Sequence, residues 1–436
     1  MARNLGNFLT LALMFLVVLP CQDSWSTSQV TANPTRSDIS NLILKADQSF
    51  VSGKFEDSQQ TLRDALKLSP YNKMIWSRYK QTVLARVGND YLVTMPENRY
   101  RLSPADLVCA LSGGAKNYYL LDVREKKEFA TGHIQGSANI PFREVFNHLD
   151  QLPQPESKRT IVIICQTQHR ANHVLVALRE LGYSNTRTLR NGYSNYKSYM
   201  TSRKNDISVQ SACASQNKEI TKTNKTTQLT GLPAPGKISI TAADLPSSQA
   251  LLAGNFQLAV DLLQNILKEN NIDTRLWQQY DRALLGQAGA QYLRSMPDSR
   301  LRLTVDDFIS HYLTGDKRYC LLDVRSPAEF AQGHIADSIN IPFRTLLQHL
   351  DKLPPKDSSK TVLLICRSQH RSIHNLVILR ELGYTRVLNL KGGYNAYLKW
   401  LKKLPSIIEQ SSPVYGIPEP TANPDSGEEE EEDFGC

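Results

Sequence analysis

Two cysteines stand where a nucleophilic thiol would be favoured, each at the start of a short polar segment. A run of β-branched and apolar residues precedes each cysteine and a helical pattern follows it, which puts the thiol at the carboxyl end of a strand. Free N–H groups at a helix N-terminus, together with a nearby arginine, lower a thiol pKa from its usual value of about 8.5. We therefore predict catalytic nucleophiles in the segments Cys165-Gln166-Thr167-Gln168-His169-Arg170 and Cys366-Arg367-Ser368-Gln369-His370-Arg371.

The arginine that ends each segment is suited to binding an anion. Arg170 and Arg371 carry a planar guanidinium with several N–H donors, which fits an oxyanion such as thiosulfate or a persulfide on the cysteine. His169 and His370 lie beside these arginines and would add positive charge when protonated, although packing explains them equally well. The predicted small-molecule partners are a sulfur-containing anion and a thiol acceptor.

The chain is a tandem duplication with an offset of 201 residues, seen in pairs such as Trp76 with Trp277 and Cys165 with Cys366. The duplication also sorts the seven cysteines, because only Cys165 and Cys366 match each other. We interpret the others as small buried or surface residues. They show no metal-binding spacing, so neither a metal nor a cofactor is expected.

Each repeat has a helical part followed by an α/β part. The predicted helical modules span 38–96 and 249–297, and their hairpins turn at Gly53-Lys54-Phe55 and Gly254-Asn255-Phe256. The α/β parts span 100–200 and 301–403, where short apolar runs alternate with helical patterns and predict a parallel sheet. The helices either pack on the catalytic domains or bind a protein partner.

The α/β parts resemble the rhodanese family in several blocks that appear in the same order twice. The first block is Asp122-Val123-Arg124…Glu128-Phe129…Gly132-His133-Ile134…Asn139-Ile140-Pro141, repeated from Asp323 to Pro342. The Cys-x4-Arg loops and the pairs Gly192-Tyr193 and Gly393-Tyr394 resemble the active-site loop and closing segment of that family. The helical hairpins loosely resemble tetratricopeptide repeats. The resemblance implies two three-layer α/β domains, each preceded by a helical hairpin.

The same resemblance implies sulfurtransferase activity, in which a cysteine takes sulfane sulfur from a donor and passes it to an acceptor such as cyanide or a thiol. Related phosphatases have one more residue in this loop, so the length here favours sulfur transfer. Family loops often carry glycine where Gln168 and Gln369 stand, and glycine lets an anion approach closely. We therefore expect these glutamines to crowd or hydrogen-bond the bound sulfur. His133, His334, Asp122–Arg124 and Asp323–Arg325 are expected to be structural.

The termini and the linker carry separate predictions. Arg3 followed by an apolar run and Pro20 is typical of a signal peptide within 1–26, with a lipidated Cys21 or an uncleaved anchor as alternatives. All three predict an exported protein. The polar segment 203–248 is a predicted flexible linker, and the acidic tail 411–436 is predicted to be disordered.

The composition argues against nucleic-acid binding, and three hypotheses of function remain. The chain has 436 residues, 41% of them hydrophobic, and a net charge of +9 that is spread along the sequence, so nucleic-acid binding is not expected. The leading hypothesis is an exported sulfurtransferase with two active domains. The alternatives are a non-catalytic interaction scaffold, which would dock partners through its helical modules, and a redox-sensing thiol protein.

Overall fold

The structure is a computed structural model that describes residues 35–202 and 245–408. The predicted signal peptide, almost all of the predicted linker and the acidic tail lie outside these ranges, as do Cys21, Cys213 and Cys436. None of the helices in the described ranges is long and apolar enough to cross a membrane.

Three helices precede the first sheet. The first begins at a capping box, in which the Thr35 side chain accepts a hydrogen bond from the Asp38 amide. The chain then turns at Gly53, which has a φ of 72° and lies at the predicted hairpin. Asn72 caps the third helix through the amides of Met74 and Ile75. The helices are α1 (Arg36–Val51), α2 (Phe55–Leu68) and α3 (Lys73–Thr94).

The first α/β domain contains five parallel strands in the order β1-β5-β4-β2-β3. Helix α6 covers one face of the sheet, while α4 and α7 cover the other, which gives the predicted three layers. The strands are β1 (Arg101–Leu102), β2 (Tyr118–Asp122), β3 (Ala138–Asn139), β4 (Thr160–Ile164) and β5 (Thr186–Leu189). The helices are α4 (Pro104–Ser112), α5 (Lys126–Ala130), α6 (His169–Glu180) and α7 (Gly192–Ser202).

The second repeat has the same topology, with the strand order β6-β10-β9-β7-β8, so the predicted fold of two parallel-sheet α/β domains with preceding helices is confirmed. Its helices are α8 (Leu245–Leu252), α9 (Phe256–Glu269), α10 (Thr274–Arg294), α11 (Val305–Tyr312), α12 (Pro327–Ala331), α13 (His370–Glu381) and α14 (Gly393–Ile408). Its strands are β6 (Arg302–Leu303), β7 (Tyr319–Asp323), β8 (Ile339–Asn340), β9 (Thr361–Ile365) and β10 (Val387–Leu390).

Each helical module packs on the α/β domain of the other repeat. Tyr91 in α3 is hydrogen-bonded through its hydroxyl to Nδ1 of His374 in α13, at 2.8 Å. Tyr292 in α10 makes the matching contact with His173 in α6, at 2.7 Å. The two modules also meet each other, where the rings of Trp76 and Trp277 stack with centroids 5.6 Å apart. The two repeats therefore pack together as one unit, with their helical modules exchanged, rather than as two independent units.

Two arginines, one in each α/β domain, form hydrogen bonds to the opposite repeat. Arg143 of the first domain donates to the carbonyl oxygen of Met296 at 2.9 Å and to the Asp298 carboxylate at 2.8 Å. Arg344 of the second domain donates to the carbonyl oxygen of Leu92. The segment that follows each long helix is thus held against the opposite α/β domain.

Candidate active site

Each candidate nucleophile follows the central strand of its sheet. β4 and β9 are buried after their first residue, because they have helices on both faces and consist of β-branched and apolar side chains. Cys165 comes directly after β4 and Cys366 directly after β9. Helices α6 and α13 begin at His169 and His370, earlier than the predicted starts at 172 and 373. The thiols therefore lie at helix N-termini, where the dipole favours an anion.

Backbone amides point at both sulfur atoms. The Ala171 amide donates to Sγ of Cys165 at 3.4 Å, and the Ser372 amide donates to Sγ of Cys366 at the same distance. The Ser372 hydroxyl adds a further contact to Cys366 at 3.4 Å. These donors stabilise a thiolate more than a thiol. Both cysteines are nevertheless only 1% exposed, so a donor molecule must displace loop side chains to reach the sulfur.

A glycine closes each loop from the side of the last helix. The amide of Tyr193 donates to the carbonyl oxygen of Cys165 at 2.7 Å, and Tyr394 does the same to Cys366 at 2.8 Å. Gly192 has a φ of 66°, and a Cβ on it would overlap the Cys165 carbonyl oxygen. The close approach of the two backbones therefore requires glycine at this position.

The two loop glutamines adopt the left-handed conformation and turn their amide groups away from the sulfur. Gln168 donates to Thr188 Oγ1 at 3.0 Å and to Asn172 Oδ1 at 3.2 Å, and it accepts from the amide of Asn191 at 3.0 Å. Gln369 accepts from the amide of Gly392 at 3.1 Å. Each side-chain oxygen thus accepts from the turn after β5 or β10, and each side-chain nitrogen also has a partner, which for Gln369 is His169. These bonds argue against the predicted role of Gln168 and Gln369 as substrate contacts.

The anion-binding arginines are themselves paired with carboxylates. Both terminal nitrogens of Arg170 donate to Glu128 at 2.6 Å, and those of Arg371 bind Glu329 in the same bidentate way. The hydrogen bonds from Arg170 lower the pKa of Glu128. Burial would raise the pKa of Glu329, but Arg371 and the hydrogen bonds from Ser326 together outweigh it and lower that pKa to about 2. Cys165 and Cys366 also raise the pKa of Arg170 and Arg371, so the thiols are buried but not remote from the predicted positive charge.

His169 of the first loop packs rather than supplies charge. Nε2 of His169 lies 2.9 Å from the amide nitrogen of Gln369, which donates because its oxygen is engaged by Gly392. Burial lowers the pKa of His169 well below its usual value, with a further contribution from His173. The expectation that His169 adds positive charge is therefore not supported, and the imidazole instead connects the two active-site loops. No group of three His, Cys, Asp or Glu suited to a metal occurs in the described residues.

The remaining repeated residues serve structure, as the sequence predicts. Arg124 donates to the Asp122 carboxylate at 2.8 Å and to the Gly132 carbonyl oxygen at 2.7 Å, and both charged side chains are almost fully buried. The His133 ring stacks on Phe129 with centroids 3.9 Å apart. In the described ranges Cys165, Cys320 and Cys366 are free, whereas Cys109 is disulfide-bonded.

Sequence reasoning gave no role to several residues that shape the site. Glu128 and Glu329 stand in the family-like block, and each precedes its arginine by 42 residues, but the constant offset makes every such separation equal in the two repeats and gives no signal of a pair. Ser372 has Ala171 as its counterpart, so the duplication concealed its contact with Cys366. The cross-repeat contact of His169 with Gln369 carries no pattern in the sequence.

A family model for the rhodanese-like domain matches the chain twice, at residues 104–199 and 304–399. A protein named sulfurtransferase from Allochromatium vinosum is 37% identical over 91 residues, which are 21% of this chain and 82% of that protein. Thiosulfate sulfurtransferase 16, chloroplastic, from Arabidopsis thaliana is 34% identical over 112 residues, which are 23% of this chain and 92% of the relative. A solved rhodanese-related protein from Thermoplasma volcanium is 27% identical, with a TM-score of 0.20, and the match covers 23% of this chain and 91% of that one.

Proposed function

This chain belongs to the rhodanese-like family, and on that premise we propose that it transfers sulfane sulfur through persulfides on Cys165 and Cys366. The observation that carries the proposal is the position of each sulfur, which accepts a backbone N–H at a helix N-terminus and interacts with an adjacent arginine. A persulfide is also an anion, so the same groups would stabilise it.

The proposed reaction has two balanced steps. In the first, the cysteine thiolate attacks the outer sulfur of thiosulfate, the bond between the two sulfur atoms breaks, and sulfite leaves with the electron pair. In the second, an acceptor such as cyanide attacks the outer sulfur of the persulfide. Thiocyanate leaves, and the cysteine thiolate is restored. No external oxidant or reductant is required.

The residues around the sulfur have separate tasks in this proposal. The amides of residues 171 and 372 hold the negative charge of thiolate and persulfide. Arg170 and Arg371 order the loop through their glutamates, and each guanidinium has three further N–H donors for the donor anion. Because each cysteine is 1% exposed, we expect turnover to depend on movement of the loop.

Replacing the cysteines tests the proposal. We expect Cys165→Ser and Cys366→Ser each to lose the sulfur transfer of one domain and the double variant to lose it entirely, because serine forms no persulfide. The measurement is thiosulfate:cyanide and thiosulfate:thiol turnover, together with peptide mass spectrometry for the gain of one sulfur atom. Undiminished turnover in the double variant would contradict the mechanism. Cys320→Ser is the matched control, since Cys320 is free but lies within β7.

The alternative is a non-catalytic interaction scaffold, and the burial of both thiols is the observation that favours it. In that case no sulfane donor would leave a sulfur atom on either cysteine. A protein partner at the helical modules also remains a proposal, although the face of each module that carries Tyr91 or Tyr292 is already occupied by the other repeat.

Export of the protein is a separate proposal, supported by the charged and apolar pattern of residues 1–26. Fractionation of cells that express the full chain tests it. Full-length protein in the soluble cytosolic fraction would contradict export.

A further inference from the structure

We propose that Arg300, which belongs to the second repeat, binds the anionic sulfur donor at the Cys165 site of the first repeat. The inference rests on the proposed sulfur-transfer function and deepens it, because it assigns this active site a cation from the opposite half of the chain.

The charged groups within the first domain cancel one another. Arg170 makes a bidentate pair with Glu128, and Arg124 makes a buried pair with Asp122. The guanidinium and carboxylate of each pair contribute no net charge toward an approaching dianion such as thiosulfate. The helix N-terminus supplies only a partial positive charge. A further cation at this site would therefore decide how strongly the donor is attracted.

The turn that carries Arg300 is docked against the first domain. Arg143 donates to the carbonyl oxygen of Met296 and to the Asp298 carboxylate, both at less than 3 Å. The same guanidinium lies 3.8 Å from Glu125, which caps the short helix that bears Glu128. Arg300 follows Asp298 by two residues. These contacts, which do not depend on any ligand, therefore place its side chain beside the Glu128–Arg170 pair.

The backbone and surroundings of Arg300 fit this task. Its amide donates to the Pro297 carbonyl oxygen at 2.9 Å, and its φ of 52° is one that non-glycine residues rarely adopt. Burial and repulsion from Arg170 lower the pKa of Arg300, while the Cys165 thiolate and Glu128 act in the opposite direction. Among the described residues no carboxylate forms an ion pair with Arg300, which leaves its charge available to a ligand.

The duplication produces a second turn of the same kind, which is docked against the second α/β domain. Arg344 donates to the carbonyl oxygen of Leu92 and to the Glu97 carboxylate, in the manner of Arg143 with Met296 and Asp298. Arg99 then follows Glu97 as Arg300 follows Asp298, and its φ is 49°. The left-handed arginine and the docked turn that carries it are therefore features of both repeats.

The test measures the reactivity of each cysteine separately in the full chain. Alkylation rates by iodoacetate, an anion, and by iodoacetamide, its neutral analogue, are determined for the Cys165 and Cys366 peptides by mass spectrometry. In Arg300→Ala we expect the iodoacetate-to-iodoacetamide ratio at Cys165 to fall about tenfold, with the ratio at Cys366 unchanged.

Internal controls make the outcome decisive. The unaffected cysteine in each variant reports that the protein is folded, and Arg300→Lys should retain most of the ratio because the charge is kept. Arg318→Ala, which removes an exposed arginine of the second domain that pairs with Asp316, should change neither cysteine. An unchanged ratio at Cys165 in Arg300→Ala, or an equal fall at both cysteines, overturns the inference.

The same variants separate this inference from the proposed function. After incubation with thiosulfate, we expect Arg300→Ala to acquire sulfur on Cys165 roughly 10 to 100 times more slowly than the unmodified protein, and on Cys366 at the normal rate. If the unmodified protein acquires no sulfur from any donor while the alkylation ratio still falls, sulfur transfer is refuted and the anion site stands.

Discussion

Gln168 and Gln369 occupy a backbone conformation that favours glycine, with φ of 75° and 77°. They remain there because the side-chain amide makes bonds that glycine could not make. Gln168 links the loop to Thr188 at the end of the neighbouring strand and to the amide of Asn191. The hydrogen bonds of the glutamine side chain therefore compensate for the backbone strain and fix the loop, and the amide points away from the sulfur.

Gln168→Ala and Gln168→Gly separate these two effects. Alanine loses the amide bonds and keeps the strain, whereas glycine loses the bonds and relieves the strain, so we expect Gln168→Gly to be about 1 kcal/mol more stable than Gln168→Ala. Both should be less stable than the unmodified protein, because Thr188 Oγ1 is buried. Urea denaturation measures the difference. Equal stability of the two variants would mean that the left-handed φ carries no strain.

The sequence predicts the nucleophile and the arginine at this scale because strand, cysteine and helix follow each other in the chain. It could not predict the Glu128–Arg170 pair, since that contact depends on where a separate helix, α5, packs. Nor could it predict the orientation of Gln168, because the two residues that fix it come from β5 and the turn that follows it.

Helices and strands are predicted well wherever the apolar pattern is long or both faces are buried. The strand Thr160–Ile164 and the helix around Trp76–Leu92, observed as Lys73–Thr94, are examples. The predicted start of α6 is too late. The apolar pattern begins at residue 172, whereas the helix begins at His169, directly after the left-handed residue Gln168. The exchange of helical modules could not be predicted, since both repeats present nearly the same apolar faces.

The contact between α10 and α6 provides a test of the exchanged modules. Tyr292→Phe removes the hydroxyl that bonds Nδ1 of His173, whose Nε2 has no partner among the described residues. An imidazole left buried without this bond should lower the free energy of unfolding by about 1–3 kcal/mol. Tyr71→Phe is the control, because its hydroxyl bonds Glu269 at an exposed site, and we expect a change within about 0.5 kcal/mol. Equal urea midpoints for the two variants would contradict the packing described for α10.

At the scale of the whole molecule, α6 and α13 lie side by side where the two α/β domains meet, and each contributes one glutamate to the same buried place. Glu180 and Glu381 are related by the duplication, and each alters the pKa of the other. Burial raises the pKa of Glu180 to about 7 and, together with the charge of Glu180, raises that of Glu381 well above its usual value. At least one of the two carboxyl groups is therefore protonated at neutral pH.

This pair makes the stability of the domain interface dependent on pH. An unfolded glutamate titrates near pH 4.3, so between that pH and about 7 the folded state binds more protons than the unfolded state. The stabilisation is complete below this range and is lost as the pH rises through it. Burial raises the pKa values of the neighbouring Tyr91 and Tyr292 well above their usual value, so both hydroxyls stay neutral across the range. The buried His173 and His374, with pKa values of about 3, act in the opposite direction and weaken the fold as the pH falls below about 6.5.

The double variant Glu180→Gln, Glu381→Gln isolates the pair from the histidines, which are the same in both proteins. Glutamine side chains do not titrate in this range, so the stability of the variant relative to the unmodified protein should increase by about 1–3 kcal/mol between pH 5 and pH 8. Urea denaturation at both pH values measures this difference, and Glu97→Gln, at an exposed position, should show none. If the two proteins respond identically to pH, the two carboxyl groups do not make the stability of the domain interface depend on pH.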